Sequence, residues 1–184
     1  MRNLNKSLVA AALSLFLGLG SINAETPESP VKWMTMEEAQ QRFADEARMI
    51  FVDVYTDWCG WCRRLDSETF SHPVIAEILN THFYPVKLNA EQHEPIVFQD
   101  VTYENENIGQ RRPTHSFAVA LLQGRLSYPT VAFFDDSMQL VTTIPGFRPP
   151  GSMEALLMFF VEEVYKVNPD LDEFIATFSG KIRD

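Results

Sequence analysis

The sequence predicts an α/β fold in which a mixed central sheet is flanked by helices. Three observations predict it. A short apolar strand, Met49 to Tyr55, lies between helical patterns; a second strand, Tyr84 to Asn89, follows a further helix; and two late strands, Pro129 to Phe134 and Met138 to Ile144, flank the turn Asp135-Asp136-Ser137. Strands separated by helical crossovers and closed by a hairpin make a sheet with both parallel and antiparallel pairs. The composition suits one such domain: 184 residues, 46% hydrophobic, 22% charged and 12% aromatic, which excludes disorder, collagen and coiled coil. With 15 basic and 25 acidic residues the net charge is −10, which argues against nucleic acid or an anionic membrane as the main partner.

The elements follow in order. Arg2 and Lys6 precede an apolar run, Leu8 to Leu19, and the small-residue ending Gly20-Ser21-Ile22-Asn23-Ala24, so residues 1–24 read as a secretory signal peptide cut after Ala24. The run is shorter than the roughly 20 residues that span a bilayer, and no cysteine follows it for lipid attachment. Residues 25–184 then form one domain, exported to the periplasm, with secretion as the alternative. Thr35 and Glu38 make a capping box, and Ala39, Phe43, Ala44 and Ala47 recur at helical spacing, giving a helix over Met36 to Arg48. Met49 to Tyr55 reads as a strand buried on both faces, with Asp53 out of place in it. A helix runs from Cys59 to Phe70. The next has Pro73 in its first turn and places Val74, Ile75, Ile78, Leu79 and Phe83 on one face.

After Tyr84 to Asn89, residues 91–113 form an insertion with no obvious core pattern. Ile96, Phe98, Val101 and Tyr103 mark a small hairpin inside it, and its acids give it the character of a solvated surface excursion, with a partner-binding loop as the alternative. Thr114 opens a helix carrying Phe117, Ala118, Leu121 and Leu122, stopped by Gly124. After the late hairpin, Ser152 caps an apolar helix through Tyr165, Asn168-Pro169 breaks it, and a last short helix covers Leu171 to Phe178.

The chemistry concentrates in Asp57-Trp58-Cys59-Gly60-Trp61-Cys62-Arg63-Arg64, where a buried strand hands over to a helix. Positions three apart on a helix share a face, with Cβ atoms about 5 to 6 Å apart, so Cys59 and Cys62 are within disulfide reach. Unpaired N–H groups and the macrodipole at a helix start favour an anion, which makes Cys59 the nucleophilic thiolate and Cys62 the resolving thiol. A structural bridge, a metal site and haem attachment compete with this reading. A loop this short adds little stability. His72, His82, His93 and His115 show no paired ligand spacing, so no metal site is expected, and Arg63 stands where haem attachment needs histidine. A carboxylate at Asp53, desolvated in a strand covered on both faces, has a raised pKa and can take the proton of Cys62; a hydrogen-bonded structural aspartate is the plain alternative.

Phe51-Val52-Asp53-Val54-Tyr55-Thr56-Asp57-Trp58-Cys59-Gly60-Trp61-Cys62, with Tyr128-Pro129-Thr130-Val131 downstream, resembles the thioredoxin family, particularly its exported thioredoxin-like members. The likeness extends from about Met36 to Tyr165 and implies a thioredoxin-like fold with the 91–113 insertion placed before the strand of a cis-proline. It implies that Cys59 attacks, Cys62 resolves, Asp53 is the buried acid under the dithiol, and Pro129 is the cis-proline beside the disulfide. Trp58, Gly60, Trp61, Tyr128 and Thr130 then border the partner. Trp61 departs from the proline of cytosolic thioredoxins, and the chain from Asn89 to Pro129 is longer than a minimal member needs. The resemblance implies a thiol:disulfide oxidoreductase with no cofactor beyond the Cys59–Cys62 dithiol. It exchanges disulfides with cysteine-containing exported proteins as a reductase and draws electrons from a membrane thiol:disulfide interchange partner. A non-catalytic binding or holdase module of the same fold, and metal delivery, are the other function classes. Arg63 and Arg64 place positive charge beside the thiolate, which favours a more oxidising couple, with solvated surface arginines as the plain alternative, so the direction of electron flow stays open.

Overall fold

A computed structural model describes residues 30–182; the expected signal peptide lies outside them. Helix α1 (Met36–Asp45) leads into strand β1 (Ile50–Tyr55), α2 (Gly60–Arg64) and a π-helical stretch, Leu65–Phe70. There follow α3 (Pro73–His82), β2 (Tyr84–Asn89), the hairpin β3 (Ile96–Phe98) and β4 (Val101–Tyr103), and α4 (Ser116–Leu121). The chain ends with β5 (Thr130–Phe134), β6 (Leu140–Pro145), α5 (Pro150–Val161), a 3₁₀ turn, Val164–Lys166, and α6 (Leu171–Thr177).

The main sheet has the order β2-β1-β5-β6. β1 pairs in parallel with β2, Ile50 opposite Tyr84 through Tyr55 opposite Asn89, and antiparallel with β5, which pairs antiparallel with β6. This is the mixed sheet that the sequence predicts. Because side chains alternate along a strand, β1 feeds two cores. Ile50, Val52 and Val54 pack with Met36 and Ala39 of α1 and with Phe117, Ala118 and Leu121 of α4. Phe51 packs on the other side with Leu65, Phe70, Ile75 and Leu79 and with Met153, Leu156 and Phe160 of α5. Its ring meets Phe133 edge-on at 5.3 Å. Asp53 lies on the Phe51 side, under the layer that α2 and the π-helical stretch contribute to.

Several boundaries differ from the sequence reading. α1 stops at Asp45 rather than Arg48, because Glu46 turns extended and the Arg48 guanidinium leaves to pair with Glu46 and lie over Tyr84. The helix after the cysteines is α-helical only to Arg64. His115, not Thr114, caps α4: its Nδ1 accepts the Phe117 N–H at 3.1 Å. Pro149, not Ser152, precedes α5, whose first residue Pro150 needs no N–H partner there. α5 ends at Val161 rather than Tyr165, where Glu163 turns left-handed. Met138 is also left-handed, with φ 56°, so β6 begins at Leu140.

The insertion is only partly a surface excursion. Ile96 and Phe98 are buried against α1 and α4, and the hairpin turns through Gln99 and Asp100, both at positive φ. Asn105 staples its base: the buried side-chain amide donates to the carbonyls of Gln92 and Pro113, each at 3.0 Å. His115, fully buried, closes the other side. With Nδ1 accepting in the α4 cap, Nε2–H is left to donate to the Glu94 carbonyl at 3.2 Å, and burial lowers the pKa of this neutral ring. Asn105→Ala strands these carbonyls without a donor and is expected to cost about 2 kcal/mol in urea unfolding; an unchanged midpoint would show the staple to be idle.

Candidate active site

The site begins where β1 ends. The Cys59 N–H donates to the Thr56 carbonyl at 3.1 Å, turning the chain out of the sheet. Cys59 then caps α2, its Sγ accepting the Cys62 N–H at 3.0 Å. A backbone donor aimed at this sulfur favours a negative charge there once the bond is reduced. Cys59 and Cys62 form a disulfide, with Cα atoms 5.3 Å apart, as their spacing allows. The pair is covered, Cys59 at 4% exposure and Cys62 at 2%, whereas Trp58 and Trp61 stand out at 46% and 56%. Gly60 is exposed between them.

The Tyr128–Pro129 peptide bond is cis. The Pro129 carbonyl accepts the Gly146 N–H at 2.8 Å, and Tyr128 meets Trp58 edge to face at 5.9 Å, so the segment before β5 and the motif before α2 share one surface. Thr130 is turned inward, its hydroxyl donating to the Ser127 carbonyl at 2.8 Å. Trp61 lies against Phe147 at 5.6 Å, and the Arg64 guanidinium covers both rings while pairing with Glu68.

Asp53 is 1% exposed. Burial pushes its carboxyl up to about 6, although the Lys87 ammonium, 2.6 Å from Oδ2, pulls the other way. Oδ1 has no hydrogen-bond partner. Lys87 stands opposite Asp53 in the β1–β2 register and also pairs with Asp66 of the π-helical stretch. Burial would lower its pKa, but the two carboxylates prevail and raise it. The rings of Trp33, Tyr55 and Phe70 surround the ammonium at 5.0, 4.9 and 5.4 Å, a setting that favours a cation.

Lys87, Asp66, Glu91, Arg112 and Phe147 are absent from the sequence reading of this site. Lys87 has a sequence signal: it is the one ionisable charge in β2, three residues into a strand whose partner carries Asp53 three residues in. Glu91 accepts the Trp58 indole N–H at 2.9 Å, and the Arg112 guanidinium lies 4.3 Å from that ring. Among the described residues, no three His, Cys, Asp or Glu side chains converge to hold a metal, and no helix is long and apolar enough to cross a membrane.

Residues 22–139 match the model of the family Thioredox_DsbH, described as a protein of unknown function, DUF255. The chain belongs to that family. Its fold is the thioredoxin fold: a thioredoxin-fold protein from Helicobacter pylori superimposes with a TM-score of 0.56 at 15% identity, over 71% of this chain and 83% of that one. Two curated relatives match part of the chain. The uncharacterized protein B0495.5 of Caenorhabditis elegans is 30% identical over 69 residues, 37% of this chain and 10% of its own length. Spermatogenesis-associated protein 20 of Rattus norvegicus is 28% identical over 82 residues, 41% of this chain and 10% of its own. The matched part of the chain thus spans about one tenth of these relatives.

Proposed function

We propose that this family member is an exported thiol:disulfide oxidoreductase that reduces disulfides in partner proteins. The observation that supports this most is the Cys59–Cys62 disulfide at the mouth of α2, with a backbone N–H directed at Cys59 Sγ. In the reduced protein the Cys59 thiolate attacks one sulfur of a partner disulfide. A Cys59–partner bond forms, the partner S–S bond breaks, and the other partner sulfur leaves with the electron pair and takes a proton. Asp53, held near neutrality by burial, accepts the proton of Cys62. The Cys62 thiolate then attacks Cys59 Sγ, closing the Cys59–Cys62 bond and releasing the second partner thiol, so two electrons pass from the dithiol to the partner. Trp58, Gly60, Trp61, Tyr128 and Pro129 border the sulfur pair, and Thr130 supports that edge from inside. No cofactor beyond the dithiol is required. Electrons return through a membrane thiol:disulfide interchange protein. The export reading rests on residues 1–24.

Equilibration with glutathione tests the direction. A Cys59/Cys62 potential of about −270 mV is expected for a reductase, and one of roughly −120 to −180 mV would overturn reduction in favour of oxidation or isomerisation.

A further inference from the structure

The insertion delivers one cation to the rim of the dithiol. Its two ends, residues 91–92 and 112–113, are tied together by Asn105 and converge on Trp58, the residue before Cys59. Glu91 takes the indole N–H, Tyr128 takes the ring edge, and Arg112 lies over the ring face. Arg112 is held there at a cost. Its φ is 60°, a left-handed conformation that an L side chain adopts at about 1 kcal/mol or more, immediately before Pro113, which restricts it further. No carboxylate among the described residues forms an ion pair with Arg112; the paired ones are Glu46, Asp53, Asp66, Glu68 and Glu163. A guanidinium lying over a ring face keeps N–H groups along its edge available for a planar, bidentate acceptor.

On the disulfide-exchange reading above, we infer that Arg112 selects partner segments bearing a carboxylate side chain next to the cysteine that Cys59 attacks. Trp58 adjoins Cys59 in the chain and touches Tyr128, beside Pro129. A partner strand that lays its cysteine on Cys59 therefore sets a neighbouring side chain over Trp58, one residue or about 3.3 Å along, and Arg112 is the charge it meets. With a net charge of −10 the chain as a whole works against acidic partners, so the choice of an acid needs a local cation; Arg63, which donates to the Asp57 carbonyl, is another near the motif, and Arg112→Gln separates the two. Glu91 and Asp57, the nearby acids, keep their charge but are held by other donors, Glu91 by the indole and Asp57 by Asn89, so neither forms an ion pair with the Arg112 guanidinium.

The test uses the reduced full domain and three disulfide-bonded peptides that differ only in Glu, Gln or Lys beside the attacked cysteine. At low ionic strength the Glu peptide is expected to be reduced about threefold to fivefold faster than the Gln peptide, the range an exposed charge pair supports, and the Lys peptide more slowly than either. Salt at 0.5 M should shrink the ratio. Arg112→Gln should bring the Glu-to-Gln ratio to near one, and Arg112→Lys should keep part of it. Because a ratio is read, a general loss of activity in a variant does not imitate the effect. Equal rates for Glu and Gln in the wild type, or a ratio that survives Arg112→Gln, overturns the inference while the exchange reading stands. No reduction of any peptide overturns both.

Discussion

Cys59→Ala is expected to lose disulfide reduction by about 10³-fold or more while the domain stays folded. The exchange begins with one sulfur, and no other group in the site is placed to replace it. Deleting the disulfide opens a loop whose cysteines are only three residues apart, so the stability cost should be no more than about 2 kcal/mol, and thermal unfolding measured beside the activity separates the two effects. Cys62→Ser should fail differently. With Cys59 intact the first step proceeds, but the resolving attack is missing, and partners should accumulate as Cys59-linked mixed disulfides that a reducing agent releases. Wild-type and Cys59→Ala proteins that reduce insulin at the same rate, no faster than the uncatalysed background, would remove the enzyme reading and leave a thioredoxin-fold binding module.

The difference between these variants rests on features visible in the amino-acid sequence. The three-residue spacing of Cys59 and Cys62, the single acid in an apolar strand and the Tyr128-Pro129-Thr130 segment are local facts of the chain, and the mixed character of the sheet follows from where helices separate strands. What stays hidden depends on register and on backbone departures from regularity. Lys87 meets Asp53 only because β1 and β2 align Ile50 with Tyr84, and nothing in either strand alone states that alignment. Asp66 joins them from a stretch that winds as a π-helix, which a pattern built on 3.6 residues per turn does not anticipate.

The insertion shows the opposite failure. Its acids dominate the composition of residues 91–113, and composition describes the average surface, so the segment reads as a soluble excursion. The residues that decide its structure are few. Ile96 and Phe98 anchor it, Asn105 closes it, and Arg112, in a left-handed conformation, turns its guanidinium onto Trp58. The start of α4 departs from the sequence pattern for a related reason: His115 replaces Thr114 as a cap because its ring is also needed under the insertion, where it donates to the Glu94 carbonyl. Tertiary demand overrides the locally better capping residue.

Asp53→Asn is expected to stabilise the protein at neutral pH while slowing exchange. In the folded state burial raises the Asp53 carboxyl from 3.8 to about 6, so the native protein binds this proton more tightly than the unfolded chain. A group raised in this way adds stability that is fully present below about pH 3.8 and lost as pH rises through 6. At 1.36 kcal/mol per pH unit the loss is about 3 kcal/mol, and the pull of Lys87 is already included, since it acts on the same equilibrium. Asparagine imitates the protonated acid: it is neutral, it still accepts from Lys87, and Asp66 remains to pair the ammonium. The variant and the wild type should therefore unfold at similar temperatures near pH 3.5. The gap should open between about pH 4 and 6, then hold at higher pH at roughly 6 to 12 °C in favour of Asn. Exchange should fall in parallel, because the acceptor for the Cys62 proton is gone. A gap that is the same at every pH, or one that favours aspartate at pH 7, would mean that the Lys87 pairing outweighs burial and that Asp53 is held as an ordinary structural anion.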